Sequence, residues 1–345
     1  MLTETFNYHL PEALIAQEPE TERDKSRLLV LNKVSGSITH RLFSDLPNYL
    51  RPGDVLVLNN TKVIRARLFG RRESGAQIEI FLLKQINSRE WTVLLRPSRR
   101  VKEGEFLTIS QKLSCKIIKK YHTPDHHIVE FTHSEPIFDL IETHGRVPLP
   151  PYIRSSKTEV SNQFAKQYQT VYAEIPGSVA APTAGLHFTN DLLTRIKSMG
   201  VHITHVTLHV GYDTFKPVTA RYVHEHKMHS ETYEISETSA ELLNQAKKNQ
   251  NRIISVGTTT ARALESCISN NKFQHGVNET DIFIYPGYSF KGIDGLLTNF
   301  HLPKSSLLML VSAFASKPFI DSAYQEAITQ KYRFFSFGDA MFIEP

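Results

Sequence analysis

The chain has 345 residues, 40% hydrophobic and 22% charged, with 40 Lys+Arg against 35 Asp+Glu, a net charge of +5 and a pI near 9.0. That balance excludes a disordered or fibrous chain and suits two domains, or one large one, with real cores. Cys115 and Cys267 are too few for a disulfide framework or a four-thiolate zinc site, the first residues lack the basic and apolar stretches of a signal peptide, and the apolar run 307–315 is too short to span a bilayer. A soluble cytoplasmic protein is expected.

Residues 26–31 and 54–58 read as strands. From about residue 65 to 131 short strands recur at 77–83, 91–95, 106–109, 115–118 and 127–131, broken by Glu73-Ser74-Gly75 and Lys102-Glu103-Gly104. Regular short strands without a helical period predict a small β-barrel. Pro148, Pro150 and Pro151 resist helix and suit a return linker. The pattern then alternates. A helix is expected over 189–199, with Thr189 as cap and Gly200 just past its end. Strand 201–210 follows, then helix 236–249, in which Thr238 and Glu241 have the spacing of a capping box. Strand 252–256 leads through Gly257 into helix 260–269. Strand 281–285 ends at Pro286-Gly287. Helix 305–315 and strands 334–337 and 340–343 complete the series. Alternation implies an α/β fold, with the early strands belonging to it. The expected architecture is a mixed-sheet α/β domain, residues 1–63 and 153–345, with an inserted small β-barrel domain, residues 64–152.

Charge is uneven along the chain. Between Thr61 and Ile153 stand 16 Lys/Arg and 10 Asp/Glu, so the remainder, with 24 and 25, is nearly neutral. Between Lys62 and Lys102 the ratio is 11 to 3. Such a segment suits a polyanionic partner, though a solvated strand surface accounts for it as well.

Four polar clusters interrupt the α/β half. Residues 178–188, Ser-Val-Ala-Ala-Pro-Thr-Ala-Gly-Leu-His-Phe, are mostly small and open into a helix, where backbone can approach a ligand and free N–H groups are offered; an ordinary tight loop fits them too. Val256-Gly257-Thr258-Thr259-Thr260 occupies the strand–turn–helix position at which α/β folds bind ligands, but it is neither a dinucleotide nor a Walker fingerprint, and the threonines could simply cap the helix. His224-Glu225-His226-Lys227-Met228-His229-Ser230-Glu231 is an acid–base set or, with no standard zinc spacing, a metal-ligand set. His202, His205 and His209 cannot share one ion while their strand is regular: His202 faces away, and the other two stand roughly 13 Å apart. Tyr285-Pro286-Gly287-Tyr288 and Leu297-Thr298-Asn299-Phe300-His301 combine aromatics that stack on a base with an amide that reads one; turn chemistry around Pro-Gly is the plainer account.

At these clusters the chain resembles the S-adenosylmethionine:tRNA ribosyltransferase-isomerases over essentially its whole length. The resemblance runs through 14–17, 23–29, 60–68, 144–153, 180–189, 206–218, 226–231, 256–265, 283–315 and 332–340. It implies an α/β domain with an inserted barrel. It also implies transfer of the ribosyl part of S-adenosylmethionine to 7-aminomethyl-7-deazaguanine at the tRNA wobble position, giving epoxyqueuosine with release of adenine and methionine. S-adenosylmethionine is then a consumed substrate; no cofactor, metal, membrane or obligate protein partner is expected. One departure stands out: Asp213 occupies a position that is commonly glycine in the family, which bears on loop shape there.

The implied chemistry needs a base for a ribose C5′ proton beside the sulfonium, a proton for departing adenine, and deprotonation of the attacking amine. Candidates for these transfers are His226, His229, Glu231, His187 and His301. Candidates for holding S-adenosylmethionine are Ala181, Pro182, Thr183, Gly185, Gly257, Thr258, Thr259, Arg262, Tyr285 and Asn299. Arg65, Arg67, Arg96, Arg99, Arg100 and Arg146 are the candidates for tRNA phosphates. A metal-dependent hydrolase using residues 224–231, or a non-catalytic RNA-binding protein, are the competing functions.

Overall fold

Nine strands form one large sheet: β1 (Arg27–Asn32), β2 (Ile38–Leu42), β3 (Val55–Asn59), β4 (His202–Leu208), β5 (Glu231–Ile235), β6 (Ile253–Val256), β7 (Gly276–Thr280), β8 (Gly295–Asn299) and β9 (Ala340–Glu344), in the spatial order β7-β5-β4-β3-β6-β8-β9-β1-β2. The computed structural model describes residues 1–121, 126–148, 152–153, 162–211 and 217–345, and for Arg100, Asn162 and Gln163 the backbone alone. Pro150, Pro151 and Asp213 lie outside the described residues. So does the side chain of Arg100.

The central quartet β4, β3, β6 and β8 is parallel, and antiparallel strands extend it on both sides. Every residue of β3, β6 and β8 is buried. This is why β3 and β6 show no alternation of apolar and polar residues: both faces of a parallel strand are covered. The carboxyl ends of the quartet therefore come together at one edge of the sheet.

Directly after β3 the chain passes through Thr61–Val63, paired parallel with Ile175–Ser178, into the closed six-stranded barrel. Its strands are Arg67–Arg71, Gln77–Gln85, Glu90–Arg96, Phe106–Ser110, Leu113–Lys120 and His127–His133. Trp91, Val93 and Leu95 point inward at alternate positions, as do Leu113, Cys115 and Ile117. A helix, Ile137–His144, adds Ile137, Leu140 and Ile141 to the same core. The barrel thus lies in sequence between β3 and β4, as an insertion into the α/β fold.

Several expected elements differ. Residues 281–285 form no strand. The strand is Gly276–Thr280, and Ile282, Phe283 and Tyr285 pack on the core instead of joining a ladder. Residues 334–337 form only an isolated bridge between Phe334 and Ile15, because Phe335 turns to φ 73°. The helix expected from Thr260 is Thr258–Cys267, starting immediately after Gly257, whose φ of 90° makes the turn. The second helix, Glu237–Lys248, is capped not by Thr238 but by Ser236, whose Oγ accepts from the Ser239 N–H at 3.1 Å. Strands β2, β5 and β8 and the helix Lys317–Thr329 lie outside the elements expected from the sequence.

Candidate active site

A pocket of about 660 Å³, counted out to its mouth, lies beyond the carboxyl ends of β4, β6 and β8. Val210 follows β4, Gly257, Thr258 and Thr259 follow β6, and Thr298 to Leu302 close β8 and continue past it. The 183–187 turn supplies Thr183 and Ala184, preceded by Ala181 and Pro182. Ligand sites at strand carboxyl ends are the rule for open α/β sheets. The Thr258–Cys267 helix has no side-chain cap, so its first N–H groups are free of intrahelical partners where Gly257, Thr258 and Thr259 line the space.

Asn299 and His301 are the polar centre of this wall. Asn299 Oδ1 accepts from the Thr183 hydroxyl at 2.8 Å, and its Nδ2 lies 3.2 Å from His187 Nε2. His301 lines the cavity and holds Thr298 Oγ1 at 2.7 Å through Nε2. Burial pushes the His301 imidazole down to about 3; burial, then the charges of Arg333 and Arg23, do the same to His187. Both rings are neutral at physiological pH, far from the range useful for proton exchange. His187 does not reach this cavity. It sits behind Asn299 and lines a separate pocket with Arg23, Ser26 and Arg333.

A second, larger space of about 1350 Å³ opens between the sheet and the barrel. The barrel contributes Leu83, Lys84, Thr92 and His126; the other side carries Gly211, His226, Met228, His229 and Glu231. It adjoins the first cavity in the chain. Val210 lines one and Gly211 the other, and Ser305 and Leu307 line one while Ser306 lines the other. His226 is half-buried with its ring on Phe283 at 5.1 Å, and burial, then the neighbouring His229, hold its pKa below the ordinary histidine value. Glu231 is 7% exposed, ion-paired with Arg262, and accepts from the Gly211 N–H at 2.9 Å.

The remaining candidates are scattered. Gly185 lies off the cavity, packed so closely on Tyr172 that a Cβ would overlap its hydroxyl. Arg262 is buried behind Glu231, and Tyr285 packs on Phe283; neither lines the first cavity. His224 stands over Tyr222, apart from His226. His205 lies by Tyr172 and His209 bonds Thr61 Oγ1 at 2.8 Å, so those two do not converge. Among the described residues no group of three or more His, Cys, Asp or Glu is gathered as for a metal ion, and no helix is long and apolar enough to cross a membrane. On the barrel, Arg65 and Arg67 are ion-paired with Glu142 and Glu79, Arg146 lies over Phe69, and Arg96 and Arg99 are exposed. Tyr152, Ser305 and Ser336 line the first cavity without having been named as site candidates, as does Thr298 of the 297–301 cluster. Thr298 was legible beside Asn299, whereas Lys84 and His126 reach the open cleft only because the barrel closes.

A family model described as Queuosine biosynthesis protein matches residues 3–343. A protein of Staphylococcus saprophyticus named S-adenosylmethionine:tRNA ribosyltransferase-isomerase is 51% identical over 343 residues, 99% of each chain. One of the same name from Carboxydothermus hydrogenoformans is 49% identical over 344 residues, 99% of this chain and 100% of that one. Among solved structures, an S-adenosylmethionine tRNA ribosyltransferase from Thermotoga maritima is 40% identical, with a TM-score of 0.56 over 98% of this chain and 99% of that one.

Proposed function

The chain belongs to the queuosine biosynthesis protein family, and on that premise we propose that it is an S-adenosylmethionine:tRNA ribosyltransferase-isomerase acting in the cytoplasm. It transfers and isomerises the ribosyl moiety of S-adenosylmethionine onto 7-aminomethyl-7-deazaguanine at the wobble position of tRNA. The product is epoxyqueuosine-tRNA, and adenine and methionine leave. The observation that carries this reading is the pair of adjoining spaces, the smaller threonine-rich and the larger bearing His226 and His229. A small reactant and a macromolecular one need such unlike sites side by side.

In this reading the smaller, threonine-rich cavity takes S-adenosylmethionine. Gly257 to Thr259 offer it helix N–H groups and hydroxyls, and Asn299, Thr183 and the neutral His301 offer polar contacts. The open cleft takes the modified base, with residues 64–152 as the inserted domain that presents tRNA. His226 and His229 face that cleft and are the groups suited to move protons there. Glu231 serves as an anchor: tied to Arg262 and the Gly211 N–H, it holds the segment between the two spaces. The hydrolase reading lacks a converging ligand set, since His224, His226 and Glu231 have separate partners. A purely RNA-binding protein leaves the threonine-rich cavity without a use.

The test is single-turnover release of adenine from S-adenosylmethionine mixed with tRNA carrying 7-aminomethyl-7-deazaguanine, after dialysis against a strong chelator with the tRNA shown to stay folded. Adenine is expected in step with tRNA modification. No adenine with intact reactants sinks the proposal, and activity restored only by a divalent ion revives the metal reading.

A further inference from the structure

His187 sits one layer behind the cavity wall, 5% exposed and stacked on Phe43 with ring centroids 4.9 Å apart. Both its nitrogens are engaged: Nδ1 lies 2.7 Å from Ser26 Oγ and Nε2 lies 3.2 Å from Asn299 Nδ2. Beyond Ser26, its hydroxyl reaches the Arg23 carbonyl at 3.1 Å. Beyond Asn299, the Thr183 hydroxyl reaches Oδ1 at 2.8 Å. A carbonyl can only accept. The Ser26 proton is therefore directed to Arg23, so Nδ1–H donates to Ser26 Oγ. Nε2 then carries no proton and accepts from the Asn299 amide, whose oxygen accepts from Thr183. Turning the asparagine over reverses every proton and takes the Ser26 hydroxyl away from the Arg23 carbonyl, leaving one fewer hydrogen bond in a buried chain. In the favoured order, Thr183, a residue of the cavity wall, has committed its hydroxyl proton and has only lone pairs left to offer.

We propose that His187 is a positioning residue, which through Asn299 sets Thr183 Oγ as a hydrogen-bond acceptor in the cavity and so demands an N–H or O–H donor from the substrate group that meets it. The inference rests on the assignment of this cavity to S-adenosylmethionine, which carries amino and hydroxyl donors. A carboxylate placed there meets lone pairs and is rejected. Burial keeps the His187 ring neutral, with a pKa near 3, so the proton order holds across the working pH range.

Two measurements test this. Nitrogen NMR of the wild-type protein is expected to show His187 protonated at Nδ1 and bare at Nε2, unchanged from about pH 5 to 8. A proton on Nε2 overturns the proposal. Calorimetric titration with S-adenosylmethionine then compares His187→Gln, His187→Asn and Thr183→Val. Glutamine places an amide oxygen near the Nε2 position and keeps the partner of Asn299; asparagine reaches only Ser26. Affinity is expected to fall about 10-fold in His187→Asn and to stay within about 3-fold in His187→Gln, the cost of one unmet buried hydrogen bond. Thr183→Val is expected to add less in the His187→Asn background than alone. Equal losses in the two His187 variants that follow their melting temperatures, or full additivity with Thr183→Val, overturn it. Wild-type protein that binds no S-adenosylmethionine sinks the assignment of the cavity instead and leaves the nitrogen spectrum to judge the chain.

Discussion

Five residues were candidates for proton transfer, and their surroundings separate them. His187 and His301 are buried with pKa values pressed to about 3, and Glu231 is engaged by Arg262 and a backbone N–H. His226 keeps access to the open cleft while burial and His229 lower its pKa. A base must be unprotonated to act. A lowered pKa therefore keeps His226 competent as pH falls, and the acid limb of the rate profile is expected below the ordinary histidine value of about 6.5. His229→Gln removes the neighbouring positive charge and should move that limb upward. His226→Ala should lower the single-turnover rate about 100-fold or more, with melting shifted only a few degrees. The check is the pH dependence of single-turnover rate in the three proteins; a His226→Ala rate near wild type at every pH places the base elsewhere. The residue types were legible as a cluster, but the partial cover on His226 comes from Phe283, 57 residues on in the chain.

Among elements, the strongest sequence signals were the apolar runs of β3 and β6 and the amphipathic helices, because burial writes itself into local composition. Ends and irregular segments were harder. Thr238 and Glu241 mimic a capping box, yet the helix begins earlier, at Ser236, whose hydroxyl takes the Ser239 N–H. Ser236→Ala is expected to cost about 1 kcal/mol and Thr238→Ala much less. Denaturant titration of both variants checks this: equal losses would restore Thr238 as the cap. Residues 281–285 show the opposite failure. Their Ile-Phe-Ile-Tyr run has strand composition, but it packs on the core beside β7, whose own sequence, Gly-Val-Asn-Glu-Thr, is exposed and polar at its middle. Edge strands face water and lose the apolar signature that marks a central one.

For the whole molecule, the insertion of a barrel straight after β3 brings a basic unit against the carboxyl edge of the sheet. Not all of that charge is equally available. Arg65 and Arg67 are engaged by Glu142 and Glu79, whereas Arg96 and Arg99 are exposed without an ion pair among the described residues. If tRNA phosphates lie on this face, Arg96→Ala with Arg99→Ala should reduce the slope of log K against log salt by about 2, and Arg65→Ala with Arg67→Ala by less. Filter binding of tRNA from low to moderate salt measures both. A slope unchanged in the Arg96/Arg99 variant moves the RNA to another surface.

From the sequence alone came the α/β class, the inserted barrel, the family, and part of the pocket wall: Ala181, Pro182, Thr183, Gly257, Thr258, Thr259, Asn299 and His301 all line it. These were readable because each lies in a local strand–turn or turn–helix segment, and ligand chemistry there depends on small residues and free helix N–H groups within a few positions. The tertiary structure decided that Gly185, Arg262 and Tyr285 stand outside that cavity, that His187 sits behind Asn299, and that His226 and His229 face a cleft completed by Lys84 and His126. Burial, ion pairing and proton order are properties of residues far apart in the chain, and they exist only once the sheet and the barrel have closed around them.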